Sequence, residues 1–191
     1  MPINNRQQPG FTLVELLVAM IISSILVSIT ISIYGLFRKS IVIDQSRSDI
    51  VQNGRVAIDR ITRDIRQTTG IVTVLPDDTS DNSVAEPHEI EFEDGNAGDL
   101  TYRRYYMNGT ILELDVKEYY FAADPTTRVH WNDLDSNGNP PVAHVISTQD
   151  IALDVSRFDV YGYKPVQLFI TTSDPTGQSF SLRSYITGRN I

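Results

Sequence analysis

The stretch Gly10-Phe11-Thr12-Leu13-Val14-Glu15 opens the segment that decides the fold of this chain. The next 22 residues, Leu16 to Phe37, carry no formal charge and include 16 apolar or aromatic side chains. A helix of that length spans roughly 33 Å, enough to cross the hydrocarbon core of a bilayer. The sequence therefore predicts a transmembrane helix with one carboxylate, Glu15, near its amino end. An acid in such a segment is a functional hypothesis by default.

This segment differs from an ordinary secretory signal peptide. Such a peptide has a basic start, an apolar core of about 7–15 residues and a small-residue cleavage site after that core. Here the apolar run is longer, and the polar residues that precede it, Met1 to Gly10, contain one basic side chain, Arg6. The order of these features predicts a processing signal in front of the apolar run.

The motif Gly10 to Leu16 resembles the class III signal of type IV prepilins and type II secretion pseudopilins. The resemblance implies that a prepilin peptidase cleaves between Gly10 and Phe11 and methylates the new amino terminus of Phe11. The acidic residue that the family carries at the fifth position after the cut corresponds to Glu15, and the family uses it in assembly. The resemblance also implies that residues 1–10 are a leader peptide on the cytoplasmic side and that the head is exported.

Physical chemistry gives Glu15 a reason to lie there. Cleavage would create an ammonium group at Phe11, and the amino end of a helix favours a negative charge. An acid at the centre of a membrane helix costs about 2.5–3.5 kcal/mol, so an amine from a neighbouring subunit would turn that cost into a register-setting attraction. The alternative is that Glu15 only reaches to the membrane interface.

The helix is predicted to continue beyond the membrane. Ile50, Ala57 or Ile58, Ile61 and Ile65 recur at helical spacing, and Gly70 supplies a stop signal. We divide the chain into a leader (1–10), a transmembrane half of the helix (11–37), an amphipathic half (38–69) and a β-rich head (70–191).

Charge separates the helix from the head. Residues 38–66 carry a net charge of +3, whereas residues 71–191 carry −11. The acidic head disfavours nucleic acid and anionic membrane surfaces as partners. The basic stretch predicts either a solvated polar face or contact with acidic neighbours.

The head reads as an antiparallel sheet, which makes the predicted fold class α+β: a long amino-terminal helix, transmembrane and then amphipathic, packed on a pilin-like sheet. Strand signals cover 71–75, 89–93, 100–107, 110–121, 154–162, 166–172 and 180–187. Asn108-Gly109 predicts a two-residue hairpin turn. Interleaved Tyr and Arg residues, with Tyr102, Arg104 and Tyr106 on one strand face, favour cross-strand pairing, with base stacking as the alternative. We leave residues 122–143 as an irregular stretch.

That irregular stretch contains the motif Asp133-Leu134-Asp135-Ser136-Asn137-Gly138. Asp133, Asp135 and Asn137 match the first half of a calcium-binding EF-hand loop, in which alternate oxygens converge on the ion. The second half is missing, because the twelfth position is His144 rather than a glutamate. The motif therefore predicts either a calcium site completed by a remote carboxylate or a solvated Asx-type turn.

Catalysis has little support in the sequence. His88, His130 and His144 are far apart without ligand spacing, and the chain has no cysteine. We therefore predict a protein that is not an enzyme, with no resident cofactor other than the calcium just considered.

The order of segments and the terminal Arg189-Asn190 also resemble the W-type minor pilins and the J-type pseudopilins. The resemblance implies a minor pilin or pseudopilin that starts as a single-pass inner-membrane protein and enters a pilus or periplasmic pseudopilus. The implied partners are the prepilin peptidase, other pilins or pseudopilins, and the inner-membrane assembly platform with its motor ATPase. The alternative function is a membrane-anchored, calcium-dependent adhesion or recognition module at a filament tip.

Overall fold

The computed structural model of the protein describes Gly10, residues 12–78, Ser80, and residues 88–95, 100–174 and 177–187; at 42–44 and 46 it describes the backbone alone. The chain divides into two compact units, Met1–Gln45 and Ser46–Ile191. Among the described residues, one helix, α1 (Leu13–Gln67), is followed by nine strands, and the predicted α+β class with an antiparallel sheet is confirmed.

The first unit is helical throughout its described part beyond Thr12. Its apolar side chains are exposed to the surroundings, as expected for a segment that meets lipid rather than a protein core. The stretch Leu13–Ile41 is long and apolar enough to cross a membrane.

In the second unit, the carboxyl-terminal part of α1 packs on the sheets through the predicted apolar stripe. Ile50, Ala57, Ile58, Ile61 and Ile65 are all buried, because their spacing places them on one helix face. The last four of these join a single core with side chains from both sheets, including Phe92, Leu114, Phe158 and Ile170. Burying a side chain of this size contributes roughly 1.5–3 kcal/mol, so the stripe holds this part of the helix on the head.

Gly54 allows an especially close approach between this helix and the strands. A Cβ built on Gly54 would lie 3.1 Å from Leu182 Cδ1 and 3.5 Å from Thr172 Cγ2. Thr172 Oγ1 also donates a hydrogen bond to the carbonyl oxygen of Ile50 at 2.9 Å. A side chain at position 54 would require the end of the Leu182 side chain to shift by a few tenths of an ångström, so glycine favours the close packing at this point.

A cluster of hydrogen bonds and ion pairs around Asp64, which we call the polar lock, adds to the apolar contacts. The buried carboxylate of Asp64 accepts hydrogen bonds from Tyr105 Oη at 2.5 Å and from Arg103 Nη1 at 2.6 Å. The other side of the Arg103 guanidinium pairs with Asp94 at 2.8 Å. Helical spacing alone would pair Asp64 with Arg60, four residues earlier. In the structure Arg60 instead reaches Gln149, and Asp64 joins the helix to the sheet.

The larger sheet is antiparallel and contains six strands in the order β1-β2-β3-β4-β5, with β6 also paired to β4. Its strands are β1 (Gly70–Ile71), β2 (Glu89–Glu93), β3 (Tyr102–Asn108), β4 (Ile111–Phe121), β5 (Asp124–Arg128) and β6 (Val142–Ala152). The smaller sheet is antiparallel with the order β7 (Val155–Tyr161), β8 (Val166–Ser173) and β9 (Ser179–Ile186).

Two parts of the strand prediction were wrong. Residues 122–143 are not wholly irregular, because they include β5 and the first residues of β6, and most of β6 had been given no strand at all. Pro125 lies in β5, which pairs with β4 at the outside of the sheet, where proline is tolerated. Register shifts opposite β4 place extra residues in β6 at Ile146 and Ile151, and such bulges interrupt the period-two pattern.

The strand at 71–75 is also shorter than predicted. It ends at Ile71, and the next two backbone amides, of Val72 and Thr73, donate to the same carbonyl oxygen of Glu91. The predicted hairpin is present with its turn one residue later, since Asn108 pairs with Ile111 and the turn residues are Gly109 and Thr110. Gly109 has φ 62°, a conformation that favours glycine.

Candidate processing and assembly site

The amino end of α1 is capped by Thr12 and Glu15 acting on each other. Thr12 N and Thr12 Oγ1 donate to Glu15 Oε2 at 2.9 and 2.8 Å, and Glu15 N donates to Thr12 Oγ1 at 3.3 Å. This reciprocal pattern is a capping box, which satisfies backbone donors that a helix terminus otherwise leaves unpaired. No described residue donates a hydrogen bond to the second oxygen, Glu15 Oε1.

Sequence reasoning missed this role of Glu15. The signal was present as Thr-x-x-Glu directly before an apolar helix, the ordinary signature of a capping box. The predicted role of Glu15 in assembly is not excluded by the cap, because Thr12 engages only one of the two carboxylate oxygens. That role stays a prediction.

The predicted cleavage point lies directly before this cap. Gly10 is exposed, and a Cβ added to it would meet no described atom within 4 Å. Phe11 and residues 1–9 lie outside the described residues, so the predicted leader and the methylated terminus do too. A side chain at position 10 would disturb no packing, which makes this position suitable for testing recognition by a peptidase.

Small and hydroxylated residues line one face of the membrane helix, in a groove that includes Ala19, Ser23, Ser24 and Ser28. Ser24 Oγ and Ser32 Oγ donate to the carbonyl oxygens four residues earlier, at 2.8 and 2.9 Å. Within the helix these hydroxyls are thus satisfied locally. The groove remains a surface on which a second helix could approach closely.

The Asp133 loop contains an Asx-type turn at Asp135. Asp135 Oδ1 accepts from the backbone N–H groups of Asn137 and Asn139, both at 2.8 Å, and Asp135 Oδ2 accepts from Asn139 Nδ2 at 3.0 Å. Asp133 Oδ2 accepts from His130 N at 2.8 Å. These bonds, led by the one from the Asn139 side chain, hold the pKa of Asp135 below its usual range.

The calcium hypothesis for Asp133, Asp135 and Asn137 stays a prediction. Both oxygens of Asp135 already accept hydrogen bonds from protein donors, as the Asx-turn alternative requires. Across the described residues, no group of three or more His, Cys, Asp or Glu side chains is arranged to hold a metal ion. A calcium ion would have to replace the hydrogen bonds that now shape this loop.

The outer face of β3 is filled by cross-strand contacts. Tyr102 packs edge-on against Tyr119 with ring centroids 4.9 Å apart, and Arg104 lies 4.6 Å above the Tyr106 ring while pairing with Glu89. Tyr106 Oη donates to Glu113 at 2.6 Å, which raises the pKa of Tyr106 to about 12. These contacts agree with the cross-strand pairing predicted for the interleaved Tyr and Arg residues of β3.

A buried ion pair completes that face. Lys117 Nζ lies 2.7 Å from Glu91 Oε2, and Tyr119 Oη donates to Glu91 Oε1 at 2.5 Å. Burial, followed by the bond to Glu91, raises the pKa of Tyr119 well above its ordinary value. Because the charges are paired and hydrogen-bonded, they can be tolerated away from water.

Each histidine of the chain lies next to a different carboxylate: His88 beside Asp159 at 3.2 Å, His130 beside Glu93 at 3.4 Å and His144 beside Glu118 at 3.4 Å. The first of these pairs lines a cleft of about 320 Å³ with Ser156, Arg157 and Tyr161. His88 and Arg157 are 55% and 58% exposed there, so water reaches the charged groups that an enzyme would need to shield.

Comparison with known protein families identifies a motif in the amino-terminal part of the chain. Residues 5–31 match the prokaryotic N-terminal methylation motif, the class III signal of type IV pilins. Comparisons of the chain with curated proteins and with solved structures return no match. The predicted resemblance to the type IV pilin and pseudopilin family is confirmed by the motif match. The chain thus has the signal of a pilin-type precursor, and the apolar helix beginning at Leu13 fits a membrane anchor.

Proposed function

We propose that this protein is a minor pilin or pseudopilin, a structural and non-enzymatic subunit of a type IV pilus or type II secretion filament. The observation that carries the proposal is the methylation motif at residues 5–31, which overlaps the apolar stretch Leu13–Ile41. A prepilin peptidase removes the leader after Gly10 and methylates Phe11. The exposed apolar helix then leaves the bilayer by exchanging lipid for the helices of other subunits.

In this proposal Glu15 has two tasks. Before assembly, its Oε2 atom caps the helix through Thr12. During assembly, its negative charge attracts the methylated amine of a neighbouring subunit, and two opposite charges attract strongly where water is excluded. The attraction sets the stagger between subunits, since a shifted register would leave the acid unpaired in an apolar environment.

The location and partners follow from the same chemistry. The protein begins as a single-pass protein of the inner membrane, with its head exported, and moves into a pilus or a periplasmic pseudopilus. Its partners are the prepilin peptidase, other pilins or pseudopilins and the inner-membrane assembly platform. The resemblance to W-type and J-type subunits supports a place at or near the filament tip.

Processing is tested by Gly10→Ala in the full-length chain. Because a Cβ at position 10 would touch no described atom, the substitution changes peptidase recognition without changing the fold. We expect the precursor to accumulate at its full length on a gel, and mass spectrometry of the unaltered protein to find methylated Phe11. Mature protein of normal length from the variant would refute processing after Gly10.

The assembly role of Glu15 is tested by a matched pair of variants. Glu15→Gln removes the charge but keeps a side chain that can complete a capping box. Thr12→Val keeps the charge but removes the capping hydroxyl, at a cost of about 0.5–2 kcal/mol to the helix end. We expect Glu15→Gln to be processed yet lost from sheared filaments, and Thr12→Val to be incorporated. The reverse pattern would mean that Glu15 acts as a cap alone.

A further inference from the structure

The smaller sheet buries one of its faces and exposes the other. Leu168, Ile170 and Ile186 belong to the buried core. Because side chains alternate along a strand, the residues between them, such as Phe169 and Tyr185, point the opposite way. We call this outer side of β7, β8 and β9 the open face. Tyr185 is 54% exposed there, so one side of a large aromatic ring is available for contact with a ligand.

Aromatic rings hold an arginine in place on the open face. The guanidinium carbon of Arg183 lies 4.4 Å from the centre of the Phe169 ring and 4.6 Å from the centre of the Tyr185 ring. Arg183 Nη2 also donates a hydrogen bond to Gln167 Oε1 at 2.8 Å. These contacts restrict an exposed side chain that is otherwise free to adopt many rotamers. The planar donor group of Arg183 is therefore pre-organised.

Arg183 also differs from most basic residues of the head in having no acidic partner. Residues 71–191 contain nineteen acidic and eight basic side chains, and the structure describes seven of the basic ones. No described carboxylate lies within ion-pair distance of Arg183 or Lys164. The other five pair with carboxylates: Arg103, Arg104, Lys117, Arg128 and Arg157.

The hydrogen-bonding capacity of Arg183 indicates what it can bind. A guanidinium group has five N–H donors, and among the described residues Arg183 uses one of them, in the bond to Gln167. The remaining donors form a planar fork that matches the two oxygens of a carboxylate. The group complementary to Arg183 is therefore an oxyanion.

The surroundings of Arg183 indicate the rest of the ligand. Thr171 and Ser181 are paired across β8 and β9 on the open face, with their hydroxyl oxygens 2.9 Å apart. Together with Gln167 they place small polar groups beside the exposed ring of Tyr185. A flat apolar surface with a few polar groups around it suits a sugar, which has an apolar C–H face and a rim of hydroxyls.

The charge of the open face favours a ligand with isolated negative charges. Asp159, the one acid within β7, β8 and β9, is buried and paired with Arg157, so it does not oppose an anion. Binding of nucleic acid depends on neutralising several phosphates, whereas the open face offers Arg183, with Lys164 in the turn between β7 and β8. Extended peptides that bind a sheet pair with the backbone of an edge strand, but the donors here are side chains on a face.

We propose that the open face binds an acidic oligosaccharide, a chain of sugars that carry carboxylates. Arg183 pairs with a sugar carboxylate, Tyr185 stacks on the adjoining sugar ring, and Ser181 and Gln167 contact its hydroxyls. The inference goes beyond the proposed function and does not depend on it, because all these residues lie in the second unit.

The test measures binding of the full-length protein in detergent to two immobilised sugars. One is a short oligomer of galacturonic acid, and the other is the matched oligomer of galactose, which lacks the carboxylates. Arg183→Gln removes the charge, and Arg183→Lys keeps the charge but removes the planar fork. The matched control is Arg55→Gln, which removes an exposed arginine from α1.

We expect the acidic oligomer to bind and the neutral one to bind much more weakly. Arg183→Gln and Arg183→Lys should each weaken binding by about tenfold or more, since a hydrogen bond between charged groups is lost or loses its geometry. Arg55→Gln should bind like the unaltered protein. Thermal unfolding followed by Trp131 fluorescence should give the same midpoint for all variants, which separates loss of binding from loss of the fold.

Several results would overturn the proposal: no binding by the unaltered protein, equal binding of the neutral oligomer, or full binding by Arg183→Lys. Tighter binding of oligoglutamate would indicate an acidic peptide instead, and tighter binding of single-stranded DNA a nucleic acid. Processing and filament content of the same variants are followed on gels. They test the proposed function separately, because a subunit can be processed and assembled without binding a sugar.

Discussion

The replacement Asp64→Ala is expected to destabilise the head strongly. It removes the acceptor for Tyr105 Oη, which is fully buried, and for one side of the Arg103 guanidinium. Leaving a buried hydroxyl unsatisfied costs about 1–3 kcal/mol, and breaking a buried ion pair costs about 3–5 kcal/mol. Arg103 keeps Asp94 as a partner, so the lower part of that range applies, about 3 kcal/mol.

That loss converts into a measurable shift. For a chain of 150–250 residues, 1 kcal/mol lowers Tm by roughly 2–4 °C, so Asp64→Ala should lower it by about 6–12 °C. The assay is thermal unfolding of the full-length protein in detergent, followed by the fluorescence of Trp131, the single tryptophan of the chain. Trp131 N donates to Tyr102 Oη at 3.2 Å, which ties this probe to the sheet.

Two further variants sharpen the test. Asp59→Ala removes an exposed acid from the same helix and should stay within about 0.5 kcal/mol of the unaltered protein. Adding Tyr105→Phe to Asp64→Ala removes the orphaned hydroxyl and should recover part of the lost stability. If Asp64→Ala unfolds at the same temperature as Asp59→Ala, the polar lock does not stabilise the head and the reasoning is refuted.

Three other predictions concern packing, pH and metal binding. Gly54→Leu should lower the free energy of unfolding by about 1–3 kcal/mol, because the larger side chain overpacks the contact with the head. The control Gly35→Leu meets nothing within 4 Å and should leave unfolding of the head unchanged. Equal denaturation midpoints for the two variants would contradict the prediction. Burial and Asp64 raise the pKa of Tyr105, and Glu113 raises that of Tyr106 to about 12. Both raised pKa values stabilise the folded protein fully below pH 10, and this stabilisation is lost as the pH rises further. Absorbance at 295 nm should therefore show tyrosines that ionise well above pH 10. Ionisation of both residues near pH 10 would contradict the prediction. Millimolar calcium should leave Tm unchanged, because the oxygens of Asp135 already accept hydrogen bonds; a rise that Asp135→Asn abolishes would establish the calcium site instead.

Local patterns predicted well those elements that follow one period throughout. The stripe from Ile50 to Ile65 is buried as expected, since a 3.6-residue repeat needs no knowledge of its partners. β2, β8 and β9 lie within one residue of their predicted bounds, because turn residues flank them or their apolar residues alternate. The capping box formed by Thr12 and Glu15 is an equally local signal, but it was not predicted.

Sequence patterns did not predict the contacts of residues whose partners lie on strands distant in sequence. β6 escaped notice because its bulges at Ile146 and Ile151 break the alternation, and a bulge is defined only against the partner strand. Helical spacing would pair Asp64 with Arg60, yet Asp64 meets Arg103 and Tyr105, about 40 positions later. The presence of glycine at position 54 is explained only by the side chain of Leu182, which is close in space but distant in sequence.

The amino-acid sequence by itself determined the precursor signal, the membrane-spanning stretch and the α+β class, because each depends on short-range order and hydrophobicity. Tertiary structure alone decided which carboxylates are buried and paired, how closely α1 packs on Leu182 at Gly54, and that residues 142–152 form a strand. Those properties arise when segments distant in sequence meet, since burial, hydrogen-bond partners and strand edges are relations between segments and not attributes of any one of them.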